Sequence, residues 1–180
     1  MPSDTALVIA DTSTRRQLSD GALNRRYDEC MRAAGIARRH GGSAIAALRD
    51  LDAHALDAIE QHIPEPERSR ARHIVEDCAR VLAAAEAMRA DDAAGLGELM
   101  NRSMRSAQTL YECSGPELDA MWSAGVEHES CLGGRCVGAG FAGCVLFLVQ
   151  AAAVEPFIEA TARRFPVSYT HLTLPTICSV

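Results

Sequence analysis

Gly138, Gly140 and Gly143, in the stretch "GAGFAGCVLFLV" (residues 138–149), have the spacing G-x-G-x-x-G. At the entrance to a helix that spacing lets the backbone approach a pyrophosphate, whose charge rests on the free N–H groups of the helix N-terminus. Here the glycines are followed by Cys144, Val145, Leu146, Phe147, Leu148 and Val149. That run is short, continuous and apolar, with the β-branched and aromatic content of a buried strand. A strand in this place offers a phosphate no helix dipole. No acidic residue ends a second strand about 20 residues further on, where a ribose hydroxyl would need one. The glycines are therefore expected to form a hairpin or bulge joining two strands rather than a dinucleotide turn.

A zinc site can be drawn through His128, Cys131, Cys136 and Cys144, the densest cluster of soft ligands in the chain. Their spacings match no familiar zinc knuckle. Cys136 and Cys144 lie beside or inside the expected strands, where cysteine packs as a small hydrophobe. No metal site is expected in this chain.

Composition narrows the chemistry further. The 180 residues are 48% hydrophobic, enough for a domain with a real core. A net charge of −6 argues against a nucleic-acid surface. All 18 basic residues are arginine, so Schiff-base chemistry, a lysine nucleophile and a phosphate-loop lysine are all excluded within these residues. The seven cysteines are odd in number and form no C-x-x-C pair, as in a reduced, cytoplasmic chain. Apolar runs are too short to span a bilayer, and "ALVIA", short and preceded by Asp4, is no signal peptide.

The elements that must hold these residues follow from periodicity. "TALVIAD" (residues 5–11) reads as a strand. A helix over residues 24–40 places Tyr27, Cys30, Met31 and Ala34 on one face and ends at Gly41 and Gly42. A shorter helix over residues 52–63 stops at Pro64 and Pro66. The next helix repeats Ile74, Cys78, Val81, Leu82, Ala85 and Met88 at spacings of three and four over an alanine-rich background. Asp91 and Asp92 open another, with Leu96, Leu99, Met100, Ala107, Leu110 and Tyr111 along its apolar face. "SGPELDAMW" (residues 114–122) starts a helix with Ser114 as its expected cap, Pro116 in the first turn and Glu117 at the positive end of the dipole. Strands "GGRCV" (133–137) and "CVLFLV" (144–149) are expected as antiparallel neighbours. "VEPFIEATARRF" (154–165) is the last helix, with Val154, Phe157, Ile158 and Phe165 inward. Consecutive helices with strands in hairpins make an α+β chain, and the apolar stripes are expected to be core.

Several segments together resemble the C-terminal half of galactokinases, in the GHMP small-molecule kinase family. They are "VIADTSTRRQLSDGALNRRYDEC", "RARHIVEDCARVLAAAEAM", "LGELMNRSMRSAQTLYECSGPELDAMW" and "LGGRCVGAGFAGCVLFLV". The match runs from about Ala6 to Phe165, in order and at matching spacing. The resemblance implies a GHMP kinase C-terminal domain over residues 1–166, with a ferredoxin-like antiparallel sheet covered by several helices. It identifies the glycine stretch with the family's third motif, in which Gly138, Ala139, Gly140, Phe141 and Gly143 would support the phosphate-binding loop of the other half around ATP. Val137 stands where the family usually has threonine and Ala142 where it usually has glycine. On the sugar side the resemblance points to Leu23 and Asn24. Leu23 replaces a tyrosine that approaches the hexose, and leucine cannot hydrogen-bond a sugar hydroxyl. Met104 replaces a usual histidine and Asp77 a usual glutamate. Arg25, Arg26, Arg70 and Arg72 are read as solvated or salt-bridged helix faces rather than phosphate ligands.

What the resemblance implies for function is an ATP- and magnesium-dependent sugar kinase acting on the anomeric hydroxyl of galactose or a related sugar. Phosphoryl transfer needs a phosphate cradle, metal ligands and a group that positions the hydroxyl. In the family these belong to the N-terminal half, so no catalytic residue is expected in this chain. The fragment is expected to be inactive alone and to have that half as its missing partner. The alternative is a non-catalytic galactokinase-like protein that senses sugar and ATP. "VSYTHLTLPTICSV" (residues 167–180) carries no charge and resembles a translated sequencing adapter. It is expected to be an artefactual tail standing where the family's last strand should lie.

Overall fold

The computed structural model describes residues 1–14 and 21–165. The expectations for residues 167–180, and for a last strand there, lie outside the described residues. The chain divides into two units, Met1–Gln17 with Ala83–Arg105 and Cys113–Val180, and Leu18–Leu82 with Ser106–Glu112.

The first unit is built on a sheet of three antiparallel strands in the order β1-β3-β2. These are β1 (Thr5–Asp11), β2 (Cys131–Val137) and β3 (Cys144–Gln150). Register is set by Val8 opposite Phe147 on one side of β3 and Gly134 opposite Phe147 on the other. "GGRCV" and "CVLFLV" are antiparallel neighbours as expected, with a bulge between Cys131 and Gly133. Both faces of β3 are covered, which explains its unbroken apolar sequence. Leu146 and Leu148 pack with Leu7, Leu132, Leu96, Leu99 and Met100. On the opposite face Phe147 meets Phe157 edge-on, with ring centroids 5.3 Å apart.

Helices α4 (Ala93–Ser106), α5 (Pro116–Val126) and α6 (Val154–Arg164) supply the covering layers within this unit. Asp92 caps α4 by accepting from the Gly95 N–H at 2.8 Å. Within the unit α4 can approach β2 closely because Gly97 faces Leu132 and Gly133, and a Cβ at either glycine would overlap the opposite backbone. The expected cap of α5 is corrected. Gly115 occupies the cap position and Pro116 the first turn, while Ser114 donates its hydroxyl to Asp119 Oδ1 at 2.5 Å. The short side chain of Ser114 thus finds a charged acceptor in place of the weaker N–H groups of the helix end.

The second unit is helical. It comprises α1 (Ala22–Gly41), α2 (Ala53–Ile59), the first part of α3 (Glu67–Arg89) and a π-helical turn at Ala107–Tyr111. Its core gathers Ala33, Ala34, Ala37, Leu48, Leu56, Ile59, Ala71 and Val75. Here two expected stripes are corrected in part: Ala34 is buried, and Cys30 and Ile74 pack against the core, as expected. Tyr27 is 63% exposed and Met31 52%, whereas Glu29, Ala33 and Ala37 are turned inward. On α3, Val81 and Leu82 are exposed, and Ala71 and Val75 take the buried positions; Met88, in the other unit, is exposed too. Small residues allow close helix packing yet contribute little to a hydropathy stripe, so the larger side chains rotate the expected face away from the buried alanines.

Candidate functional site

The glycine turn sits between β2 and β3. Gly138, Gly140 and Gly143 have φ of 83°, 75° and 101°, and Phe141 between them has φ 65°. Three of these are glycines because the left-handed region costs a side chain about 1–2 kcal/mol. Phe141 bears that strain because its N–H donates to the Cys113 carbonyl at 2.5 Å. Gly140 is buried against the same residue: a Cβ there would overlap the Cys113 oxygen and come within 3.0 Å of its Sγ. At the other end the Gly143 carbonyl accepts both the Thr12 N–H at 2.9 Å and the Thr12 hydroxyl at 2.8 Å. Thr12 is fully buried. The turn is thereby held at both ends, while Val137, Gly138 and Ala139 form an exposed tip. Ala142 is half-buried and stays outside the left-handed region, so its methyl group brings no backbone strain. No helix begins here: β3 starts at Cys144, and the dinucleotide geometry is absent.

The soft ligands nearby do not converge on a metal. The His128 ring shares a hydrogen bond with the Ser130 hydroxyl at 2.8 Å, and the Cys131 thiol bonds the Gly133 carbonyl at 3.6 Å. Burial pushes the Cys131 thiol up to about 11, which keeps it protonated and a poor ligand. Among the described residues no group of three or more His, Cys, Asp or Glu side chains is arranged to hold a metal ion.

In the second unit, Arg26 and Glu29 on α1, Arg70 on α3 and Glu112 form a charged network. Arg70 is 2% exposed. Its Nε donates to Glu29 Oε2 at 2.8 Å and its Nη2 to Glu112 Oε2 at 2.8 Å. Arg26 Nη1 lies 3.0 Å from Glu29 and its Nη2 3.1 Å from Glu112. The same guanidinium groups finish the π-helical turn. Arg70 donates to the Leu110 carbonyl, and Arg26 to the carbonyls of Tyr111 at 2.6 Å and Glu112 at 3.2 Å. A helix end leaves such carbonyls without internal partners, and cations are the favourable groups to meet them. Burial works to raise the Glu29 carboxyl, but hydrogen bonds and charge from Arg70 and Arg26 outweigh it and hold Glu29 below the usual carboxylate range. Arg72 pairs with Asp57 at 2.9 Å and also with Glu60. The salt-bridged reading holds for Arg26, Arg70 and Arg72, and Arg70 departs from it only in being buried.

Leu23 and Asn24 lie in this unit, on an open groove with Tyr27, Met31, Ile74 and Tyr111. The Tyr111 hydroxyl accepts from the Cys30 thiol at 3.8 Å, and its ring stacks on His73 with centroids 4.6 Å apart. His73 is fixed in turn by Ser106 at 2.8 Å. The glycine turn belongs to the first unit and Leu23 and Asn24 to the second. Of the remaining departures, Met104 is fully buried, and Asp77 holds Arg80 Nε at 2.9 Å. Sequence reasoning missed Thr12, Cys113 and Glu112. Thr12 and Cys113 act through distant backbone groups, and only the strand register brings Thr12 to Gly143. The i,i+3 spacing of Arg26 and Glu29 was the one legible trace of the network.

Residues 84–167 match the model of the GHMP kinases C terminal family. Galactokinase of Roseiflexus sp. (strain RS-1) is 38% identical over 92% of this chain and 42% of its own length. Galactokinase of Bacillus subtilis (strain 168) is 36% identical over 91% of this chain and 42% of its own length. The chain thus spans less than half the length of these curated relatives. The crystal structure of Lactococcus lactis galactokinase complexed with galactose superposes with a TM-score of 0.89 at 29% identity, over 99% of this chain and 45% of that one. The crystal structure of L. major mevalonate kinase in complex with R-mevalonate shares the fold at a TM-score of 0.56 and 15% identity. The α+β arrangement of helices on an antiparallel sheet is the one these proteins have in common, and the chain carries a GHMP kinase C-terminal domain, similar to part of galactokinase.

Proposed function

We propose that this chain is part of a sugar kinase that, when complete, transfers the γ-phosphoryl group of ATP to the anomeric hydroxyl of galactose or a related sugar. The observation that carries the reading is the extent of the match, which runs over nearly all of this chain and less than half of each galactokinase. In this reading residues 1–166 form the C-terminal domain, and residues 167–180 are an artefactual tail. Gly138, Ala139, Gly140, Phe141 and Gly143 support a phosphate loop supplied by the rest of the protein. Their pinned backbone and exposed tip suit that task, because a support must be rigid before the ligand arrives. Leu23 and Asn24 stand on the sugar side, with Leu23 selecting by shape rather than by a hydrogen bond.

Magnesium and the group that positions the hydroxyl belong, in this proposal, to the missing half. The described residues offer no carboxylate cluster for the ion. In this proposal the chain alone is inactive, and its place is the cytoplasm. No helix among the described residues is long and apolar enough to cross a membrane.

The test is a coupled assay for ADP release with ATP, magnesium and galactose. The isolated chain should give no turnover. A protein in which residues 1–165 are joined to the upstream half and a family-type last strand should phosphorylate the sugar. A joined protein that binds sugar and ATP but transfers nothing would make it a sensor. Turnover by the isolated chain would place the chemistry within these residues, against this reading.

A further inference from the structure

The segment that holds the glycine turn is itself held one residue earlier. Glu112 closes the π-helical turn, its N–H donating to the Ala107 carbonyl, and stands in the left-handed region at φ 51° and ψ 48°. For a glutamate that region is strained, so neighbouring bonds must maintain it. Arg26 supplies them. Its Nε donates to the Tyr111 carbonyl at 2.6 Å and its Nη2 to the Glu112 carbonyl at 3.2 Å, while its Nη1 rests on Glu29. The Glu112 carboxylate adds a further hold on Arg26 Nη2 at 3.1 Å. The Glu112 carbonyl and the Cys113 N–H belong to one planar peptide group. A donor that fixes the first therefore also fixes the direction in which the chain enters Cys113. The next carbonyl along, that of Cys113, is the one that accepts the Phe141 N–H at 2.5 Å.

We infer that Arg26 is a positioning residue for the glycine turn. By holding two successive carbonyls it keeps Glu112 left-handed, and so presents the Cys113 carbonyl to Phe141. The task suits a guanidinium: its rigid fork places donors on both carbonyls at once, where an ammonium is a single point charge on a flexible stem. Glu29 keeps the fork in place, and Glu29 is held in turn by Arg70 Nε at 2.8 Å. Without Arg26, Glu112 relaxes toward the right-handed region, the peptide group rotates and the Cys113 carbonyl is withdrawn. Phe141, at φ 65°, then loses the bond that offsets its own strain. That this loosens a phosphate loop rests on the proposed function. The positioning itself does not, and it is measurable without ATP or the missing half, so its failure and that of the kinase reading are separate results.

The experiment is amide hydrogen exchange, followed by NMR on the full chain. Arg26→Met should speed exchange of the Phe141 amide by about tenfold or more, because local opening replaces a presented acceptor. The amides of Ala37 and Val75, in the helical core, should quicken by a smaller factor. The Thr12 amide, bound to the far end of the turn at Gly143, should change least. Arg70→Met is the contrast. It removes the more buried cation but leaves both carbonyls with Arg26, so it should quicken Ala37 and Val75 more than Phe141. A role in general stability alone would give both variants the same order. Circular dichroism checks folding, and Arg26→Lys, which lacks the fork, carries the same test with a smaller factor if Arg26→Met does not fold. Unchanged Phe141 exchange, a rise no greater than that of Ala37 and Val75, or a larger rise in Arg70→Met than in the Arg26 variant overturns the proposal.

Discussion

Gly140 lies so close to Cys113 that a Cβ would overlap the Cys113 carbonyl oxygen, the same oxygen that accepts the Phe141 N–H. The contact is backbone against backbone, so no side-chain rotation can relieve it. Two requirements therefore converge on one glycine, a positive φ and a bare Cα. Gly138 has the first without the second, since nothing lies within 4 Å of its notional Cβ.

That contrast is measurable. Gly138→Ala should cost about 1–2 kcal/mol, the conformational penalty alone. Gly140→Ala should cost clearly more, because the overlap must also be relieved by moving β2, β3 or the Cys113 segment. Urea unfolding of both variants checks the order. Equal losses would mean that the Cys113 contact relaxes freely.

Arg70 is the centre of the second unit's charged network. Arg70→Met keeps a long apolar stem, but leaves Glu29 with fewer donors and the Leu110 carbonyl with none from this side chain. Removing one partner of a buried pair typically costs about 3–5 kcal/mol, since the other charge stays buried. Arg72→Met loses ion pairs to Asp57 and Glu60 that are far more open to water, and should cost about 1 kcal/mol or less. Comparable losses for the two would contradict the burial of Arg70 as the deciding factor.

How much of this was legible in the sequence depends on the distance over which each feature acts. "TALVIAD" and "CVLFLV" carry their state in their own composition, and β1 and β3 fall close to where that composition places them. The glycines were legible as a turn for the same local reason. What holds the turn was not, because Cys113 engages it through a carbonyl that any residue possesses, and the Thr12 N–H and hydroxyl reach Gly143 from a strand 131 residues away in sequence. The burial of Glu29 on α1 was not legible because Arg26 of its own helix is only half of its pairing, and Arg70 of α3, the other half, lies in no window along α1. A buried charge is readable only when its partner is known.

The Cys131 thiol gives a chemical check on the strand that leads into the turn. Burial raises it to about 11. At pH 8 only roughly one molecule in a thousand then carries the reactive thiolate. Iodoacetamide labelling followed by peptide mass analysis should find Cys131 unmodified in folded protein and modified at once in urea. Rapid labelling in the native state would mean that β2 opens readily at its first residue.

The last prediction concerns acid. Glu29 is held below the usual carboxylate range, as are Asp50, through N–H donors of Ala47 and Ala46, and Glu65, through Ser69 and Arg68. A carboxyl whose folded pKa is depressed binds fewer protons in the native state than in the unfolded one. Its contribution is complete above the unfolded value, near 4.3 for a glutamate, and is lost as pH falls through the folded value. Stability should therefore be level from neutral pH down to about 5 as far as these groups are concerned, and then decline. Asp50 and Glu65 are exposed, so solvent weakens their share. Glu29 is buried among guanidinium groups and should dominate. Arg70→Met removes the main cause of its depression, so the variant should be less stable at pH 7 and show a flatter decline between pH 5 and about 3. Thermal midpoints of both proteins across that range decide it. Parallel curves would show that Glu29 does not carry the acid sensitivity.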